Sequence, residues 1–197
     1  GCTHTTMHDF ASMRALPNLT ILAPCDAVQT EYLTDLLCQF TGPVYMRMGR
    51  GDVPPVYEAG EKFEIGKIKT VCEGTDATII ACGEMVAPAK KAAELLQAEG
   101  ISVRVLDCFT IQPMDTKTVE KALRETRAVV TVEEHSTRGG LGEAVSHIAA
   151  ELRGSAPMRL LGLPEEVVIG KSQELFAYYG LTPEGISAAI KERLERE

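Results

Sequence analysis

The chain has 197 residues, 45% of them hydrophobic and 24% charged, which suits one or two globular domains with a real apolar core. Its formal net charge of -8 disfavours nucleic-acid backbones and anionic membrane surfaces, and no run of Lys and Arg offers a local exception. Aromatic residues make up only 5% and Trp is absent, so the core has to be built from Val, Ile, Leu, Ala and Met.

Met7, Phe10, Ala11 and Ala15 recur at helical spacing and predict a helix over residues 7–16. Leu19 to Ala23, closed by Pro24, reads as a short buried strand. Asp26 followed three residues later by Gln29 has a capping-box pattern and opens a helix to about Phe40. Thr41-Gly42-Pro43 breaks it, and Val44 to Met48 is the next strand. Residues 49–60 (GRGDVPPVYEAG) show no period and read as a linker. After an extended lead from Phe63 to Val71, strands are expected at Ala77 to Ala81, Ser102 to Leu106, Ala128 to Val132 and Met158 to Leu163. Between them lie helices from about Met85 to Glu99 (ended by Gly100), from Asp115 to about Glu125 and from about Gly142 to Leu152. A last helix starts at the Thr182-Pro183 cap and carries Ile186, Ala189, Ile190 and Leu194 on one face.

Strands alternating with helices need crossover connections, which predicts an α/β fold with a mainly parallel sheet covered on both faces. Residues 62–197 read as one such domain and residues 1–54 as the last part of another. A helix-strand-helix-strand piece of that size buries too little surface to stand alone. It is expected to pack on the following domain, on a second chain or on further polypeptide. The opening Gly1-Cys2-Thr3-His4, without an initiator Met, reads as the start of a piece of something longer. No apolar run approaches a membrane span and no signal peptide is evident, so a cytoplasmic protein is expected. The six cysteines (Cys2, Cys25, Cys38, Cys72, Cys82, Cys108) lack C-x-x-C spacing and are expected as free thiols.

Four groups of residues carry candidate chemistry. His4, just before a helix, could donate a hydrogen bond to a developing oxyanion. His4 and His8 stand at metal-binding spacing, but without the Glu of H-E-x-x-H, and no metal site is assigned. Arg47 and Arg50 flank Met48-Gly49 at a strand end, where ligands of open α/β sheets gather and a guanidinium can grip a phosphate or carboxylate. Finally, Glu133-Glu134-His135 leads into Gly139-Gly140-Leu141-Gly142 before a helix, a strand-turn-helix layout like a phosphate cradle. Val145 breaks G-x-G-x-x-G and no P-loop Lys is present, which favours a structural turn.

G-C-T-H, D-F-A-S-M-R-A-L-P-N-L-T-I-L-A-P-C-D-A and G-P-V-Y-M-R-M-G-R-G resemble the second half of the pyrimidine-binding domain of transketolases. F-E-I-G-K, G-T-D-A-T-I-I-A-C-G, I-Q-P-M-D and V-T-V-E-E-H-S-T-R-G-G-L-G resemble the carboxy-terminal domain of the same family, in the same order. The likeness is greatest to the smaller subunit of two-subunit bacterial transketolases. It implies a ketol transfer in which a two-carbon unit passes from a ketose phosphate to an aldose phosphate through thiamine diphosphate. It implies that His4 faces the cofactor and the bound sugar, that Arg50 grips the substrate phosphate, and that Arg47 matches an earlier arginine of that motif. Family members usually carry T-H-Q, where this chain has Thr5. The G-D-G…N motif for Mg²⁺ and diphosphate and the Glu that activates the cofactor have no counterpart here. The resemblance therefore implies that this chain alone holds no cofactor and is inactive, and that it works as a homodimer or with an amino-terminal transketolase subunit on sugar phosphates. Two rival readings are a non-catalytic dimerisation module and the β subunit of a 2-oxo-acid dehydrogenase.

Overall fold

The structure is a computed structural model that describes residues 6–49, 51–166 and 168–195. Its larger sheet has five strands, β3 (Lys69–Cys72), β4 (Ala77–Ala81), β5 (Val103–Asp107), β7 (Ala128–Ser136) and β8 (Met158–Leu163), in the spatial order β3-β5-β4-β7-β8. Pairings β4–β5, β4–β7 and β7–β8 are parallel, and only the edge strand β3 runs antiparallel. The mainly parallel α/β fold expected from the alternation of strands and helices is the one observed.

β4 is buried at all five positions, as a central parallel strand must be. Its alternation divides the core. Ile79 faces α3 (Val86–Ala98) and α7 (Pro183–Glu195), packing with Ala89, Ile186 and Ile190. Ile80 faces α4 (Thr116–Glu125) and α5 (Leu141–Glu151), packing with Val119, Leu123 and Val145. Asp115 caps α4 by accepting from Thr118 N–H, and Thr182 Oγ1 accepts from Gly185 N–H at the start of α7.

Residues 6–49 contribute α1 (Asp9–Arg14), β1 (Thr20–Leu22), α2 (Ala27–Leu37) and β2 (Val44–Met46). β1 pairs with β2 in parallel, and β6 (Thr110–Gln112) adds to the other edge of β1 in antiparallel fashion. Thus a strand from the second half of the chain completes the sheet of the first. Local pattern gave no hint of β6, which is three residues long and ends at the cis Gln112–Pro113 bond. α6 (Ser172–Tyr178), a short helix with no buried residue, also lacked a sequence signal.

The small first segment is held by burial and by a polar seam. Phe10, Ile21 and Leu33 are fully buried against the larger unit. Asp26 Oδ1 caps α2 by accepting from Gln29 N–H, while its Oδ2 accepts from Val56 and Tyr57 N–H. One carboxylate therefore both starts a helix and pins the linker. The Gln29 side chain accepts from Cys25 N–H, one residue before the helix cap, and donates to Asp107 Oδ2 at 2.7 Å. Tyr57 O–H donates to the same oxygen at 2.8 Å. Asp107 is fully buried at the end of β5, and burial first of all pushes its carboxyl up to about 7, against the hydrogen bonds from Gln29 and Tyr57.

Candidate functional site

The site forms where four parallel strands end. β1 runs into Ala23-Pro24, β2 into Arg47, β4 into Cys82-Gly83-Glu84, and β7 carries Glu134; together with Phe10 and Gly49 these residues line one small cleft. The carboxyl edge of parallel strands is where α/β proteins place their ligands.

Arg47 is the hub. Its Nη1 donates to the Glu134 carbonyl at 2.7 Å, its Nη2 faces Glu134 Oε2 at 3.4 Å, and its Nε lies 3.4 Å from Asp9 Oδ2. The guanidinium also sits over the Phe10 ring, 5.1 Å from its centroid, a cation–π position. Tyr45 O–H donates to Asp9 Oδ2 at 2.9 Å. Arg47 thereby joins the end of β2, the first turn of α1 and the end of β7. The other two residues assigned from the resemblance, His4 and Arg50, lie outside the described residues.

β7 does not stop at Val132 as its apolar run suggested, but continues to Ser136, so alternate side chains take separate tasks. Glu133 is fully buried and accepts from Leu141 N–H at 2.7 Å and Gly142 N–H at 2.8 Å, at the amino end of α5. The cradle at that helix start is thus filled by an internal anion. A Cβ at Gly140 would lie 2.0 Å from Glu133 Oε2, which explains the glycine. Burial raises the Glu133 carboxyl to about 7, while the two backbone donors and the charges of Arg14 and Arg47 pull against it.

His135 is also fully buried, stacked on Phe10 with ring centroids 5.0 Å apart. Its Nδ1–H donates to its neighbour's carbonyl, Ser136 O, at 2.6 Å, leaving Nε2 to accept from Ala11 N–H at 3.4 Å. Burial holds its pKa below the ordinary histidine value, so the ring is neutral. Arg14 donates to the Gly139 and Gly140 carbonyls, and Met7 O accepts from Ser136 N–H. Helix α1, which follows the Thr3-His4 motif, is therefore clamped to the end of β7 from both sides.

On the far side of Arg47, Glu134 meets Glu84. Burial, then the charge of Glu84 and a hydrogen bond shared with it, push Glu134 up to about 8. Glu84 in turn packs against the main chain of Gly49, where a Cβ would fall 2.6 Å from Glu84 Oε1. Sequence reading singled out Glu133, Glu134 and His135 but missed Asp9, Tyr45 and Glu84. The D-F pair of the α1 motif was the one available pointer to Asp9; Glu84 sits in a 3-10 turn, Gly83–Met85, that has no periodic signal.

Comparison with known proteins decides the family. The family model "Transketolase, C-terminal domain" matches residues 66–186, and "Transketolase, pyrimidine binding domain" matches residues 1–55. The chain belongs to the transketolase family. One of the two subunits of an apulose-4-phosphate transketolase from Phocaeicola vulgatus is 46% identical over 198 residues, covering 100% of this chain and 63% of that protein. The 6-deoxy-6-sulfo-D-fructose transketolase subunit SqwH from Clostridium sp. is 35% identical over 198 residues, covering 100% of this chain and 61% of that one. Among solved structures, a split gene transketolase described as an inactive beta4 tetramer superposes with a TM-score of 0.89 at 40% identity, covering 99% of this chain and 63% of that chain. The transketolase domain order thus runs through the whole chain, which spans less than two thirds of these relatives' lengths. Among the described residues, no helix is long and apolar enough to cross a membrane.

Proposed function

We propose that this chain is the carboxy-terminal portion of a thiamine-diphosphate-dependent transketolase that moves a two-carbon ketol unit from a ketose phosphate to an aldose phosphate. The observation that carries the reading is the clamp of α1 and the β2 end onto β7 around Arg47. It holds the segment after Thr3-His4 and the segment before Arg50 on one rigid wall at the carboxyl edge of the strands. His4 is assigned to the developing oxyanion and the cofactor side, Arg50 to the substrate phosphate through two charge-assisted bonds, and Arg47 to holding that wall. The names of the two relatives support an anion-gripping arginine: one substrate carries a phosphate, the other a sulfo group.

The residues of this chain do not fit the metal-diphosphate end of the cofactor. The sequence has no G-D-G…N motif, and the described residues offer no cluster of three His, Cys, Asp or Glu side chains suited to a metal. That end belongs to other polypeptide, either an amino-terminal subunit or a second copy of the full-length protein, and the fragment by itself is inactive in this reading. What this chain supplies is a dry, preorganised wall of donors. The test is reconstitution of the full-length protein with a polypeptide bearing G-D-G…N. Ketol transfer that requires both components and thiamine diphosphate is the expected result, and absence of turnover across a broad panel of sugar phosphates overturns the proposal.

A further inference from the structure

We propose that Glu84 and Glu134 form a proton-sharing pair that holds the Arg47–Gly49 turn, and that its ionisation weakens the grip of the following Arg50 on a sugar phosphate. The inference rests on the reading of Arg50 given above.

Glu84 is delivered to the turn by Gly83, whose φ of +57° bends the chain after β4 and whose N–H donates to the Ala23 carbonyl at 3.1 Å. Its carboxylate then lies against Gly49, at a spot that any side chain would occupy. Glu134 approaches from β7 and shares a hydrogen bond with Glu84, which two carboxylates can do only with a proton between them. The surroundings give that proton value. Asp9 on α1, Glu84 and Glu134 place three carboxyl groups around the single Arg47 guanidinium. Tyr45 on β2 is bonded to Asp9, Cys82 after β4 lines the same cleft, and the neighbouring His135 is neutral and turned to Ala11. Glu133 on β7 is committed to the α5 backbone and His8 lies on the outer side of His135, so neither relieves the pair.

Loss of the shared proton adds a second negative charge beside Gly49, one residue from Arg50. Two effects follow. Like charges push Glu84 off the turn it supports, and the dianionic pair competes with the substrate phosphate for the adjacent guanidinium. Both act on binding of the phosphorylated donor rather than on the bond-breaking step, so Glu84 and Glu134 are positioning residues.

Steady-state kinetics of the reconstituted full-length enzyme from about pH 6.5 to about pH 9 test this. With a ketose phosphate donor, KM is expected to rise about tenfold on the alkaline side, the equivalent of one pKa unit of interaction. A non-phosphorylated ketose serves as the control and should show no such rise. In Glu84→Gln and in Glu134→Gln, where an amide mimics the protonated acid, the KM profile for the phosphorylated donor should become flat. A wild-type rise retained in Glu84→Gln, or an equal rise with the non-phosphorylated ketose, overturns the proposal. If the assembly transfers no ketol, the functional reading fails separately, and amide hydrogen exchange of the peptide spanning residues 44–52 decides the positioning claim. Protection, corrected for the intrinsic rate, should drop at alkaline pH in the wild type and hold in Glu84→Gln. Equal protection in both at all pH values refutes it.

Discussion

Replacing Arg47 by Leu keeps most of the aliphatic stem over Phe10 and removes the charge. The variant loses the 2.7 Å bond to the Glu134 carbonyl, both 3.4 Å ion contacts and the cation over the ring. A hydrogen bond from a charged donor contributes about 1.5–3 kcal/mol. The longer contacts add about 1 kcal/mol together, since Arg47 is 18% exposed and Glu134 28% exposed. Asp9, only 6% exposed, is left with Tyr45 as its side-chain donor, which adds a desolvation penalty. The expected loss is about 3 kcal/mol. With a urea dependence of about 2 kcal/mol per molar, the unfolding midpoint of the full-length protein should fall by about 1.5 M. Arg47→Lys should recover less than half of this, because a point charge cannot span the Glu134 carbonyl, its carboxylate and Asp9 together. A loss below about 1 kcal/mol, or a Lys variant as stable as the wild type, refutes the view of Arg47 as the joint of the site.

Stability should fall as pH rises from slightly acid to alkaline. Burial raises Asp107 and Glu133 to about 7 and Glu134 to about 8, so in the folded chain these carboxyls stay protonated where the unfolded chain has already lost their protons. Their contribution is complete below the ordinary carboxylate range near 4 and disappears as pH passes through 7 to 8, at up to about 1.4 kcal/mol per pH unit for each group. His135, lowered by burial, acts oppositely and withdraws stability on the acid side. Urea midpoints measured across this range should peak below neutrality, and a midpoint that climbs from about pH 6 to about pH 8.5 contradicts the assignment. At the α5 cradle, Gly140→Ala drives a methyl into Glu133 and should cost about 2–4 kcal/mol in a thermal or urea melt. Glu133→Gln, which retains one acceptor for Leu141 or Gly142 N–H, should cost less, and the reverse order would show that the glycine is not there to admit the carboxylate.

Much of the fold was legible because its signals are local. Asp26, Asp115 and Thr182 announced helix starts through side-chain geometry that depends on three consecutive residues, and each does accept the backbone N–H its position implies. The β4 run ATIIA announced a strand buried on both faces for the same reason. β6 was invisible because three residues carry no period and its pairing partner, β1, lies about 90 positions away in the chain. At the site, the family motifs drew attention to His4, Arg47 and Arg50, yet what surrounds Arg47 comes from four separate segments. Glu84 and Glu134 lie 50 positions apart, and no spacing rule connects a residue after β4 with one inside β7. Glu133 shows the converse. Its sequence context looked like a cradle for a bound phosphate, and burial with two backbone donors shows that the chain fills the cradle itself.

The most direct test of the central proposal compares Arg50→Met with the wild type in the reconstituted full-length enzyme, using a ketose phosphate and its non-phosphorylated counterpart. Removing two charge-assisted bonds should raise KM for the phosphorylated donor about 10- to 100-fold and leave that for the plain ketose within about twofold. Equal losses with both donors, or none with either, would contradict a chain whose part in the assembly is to present an arginine to the substrate's phosphate.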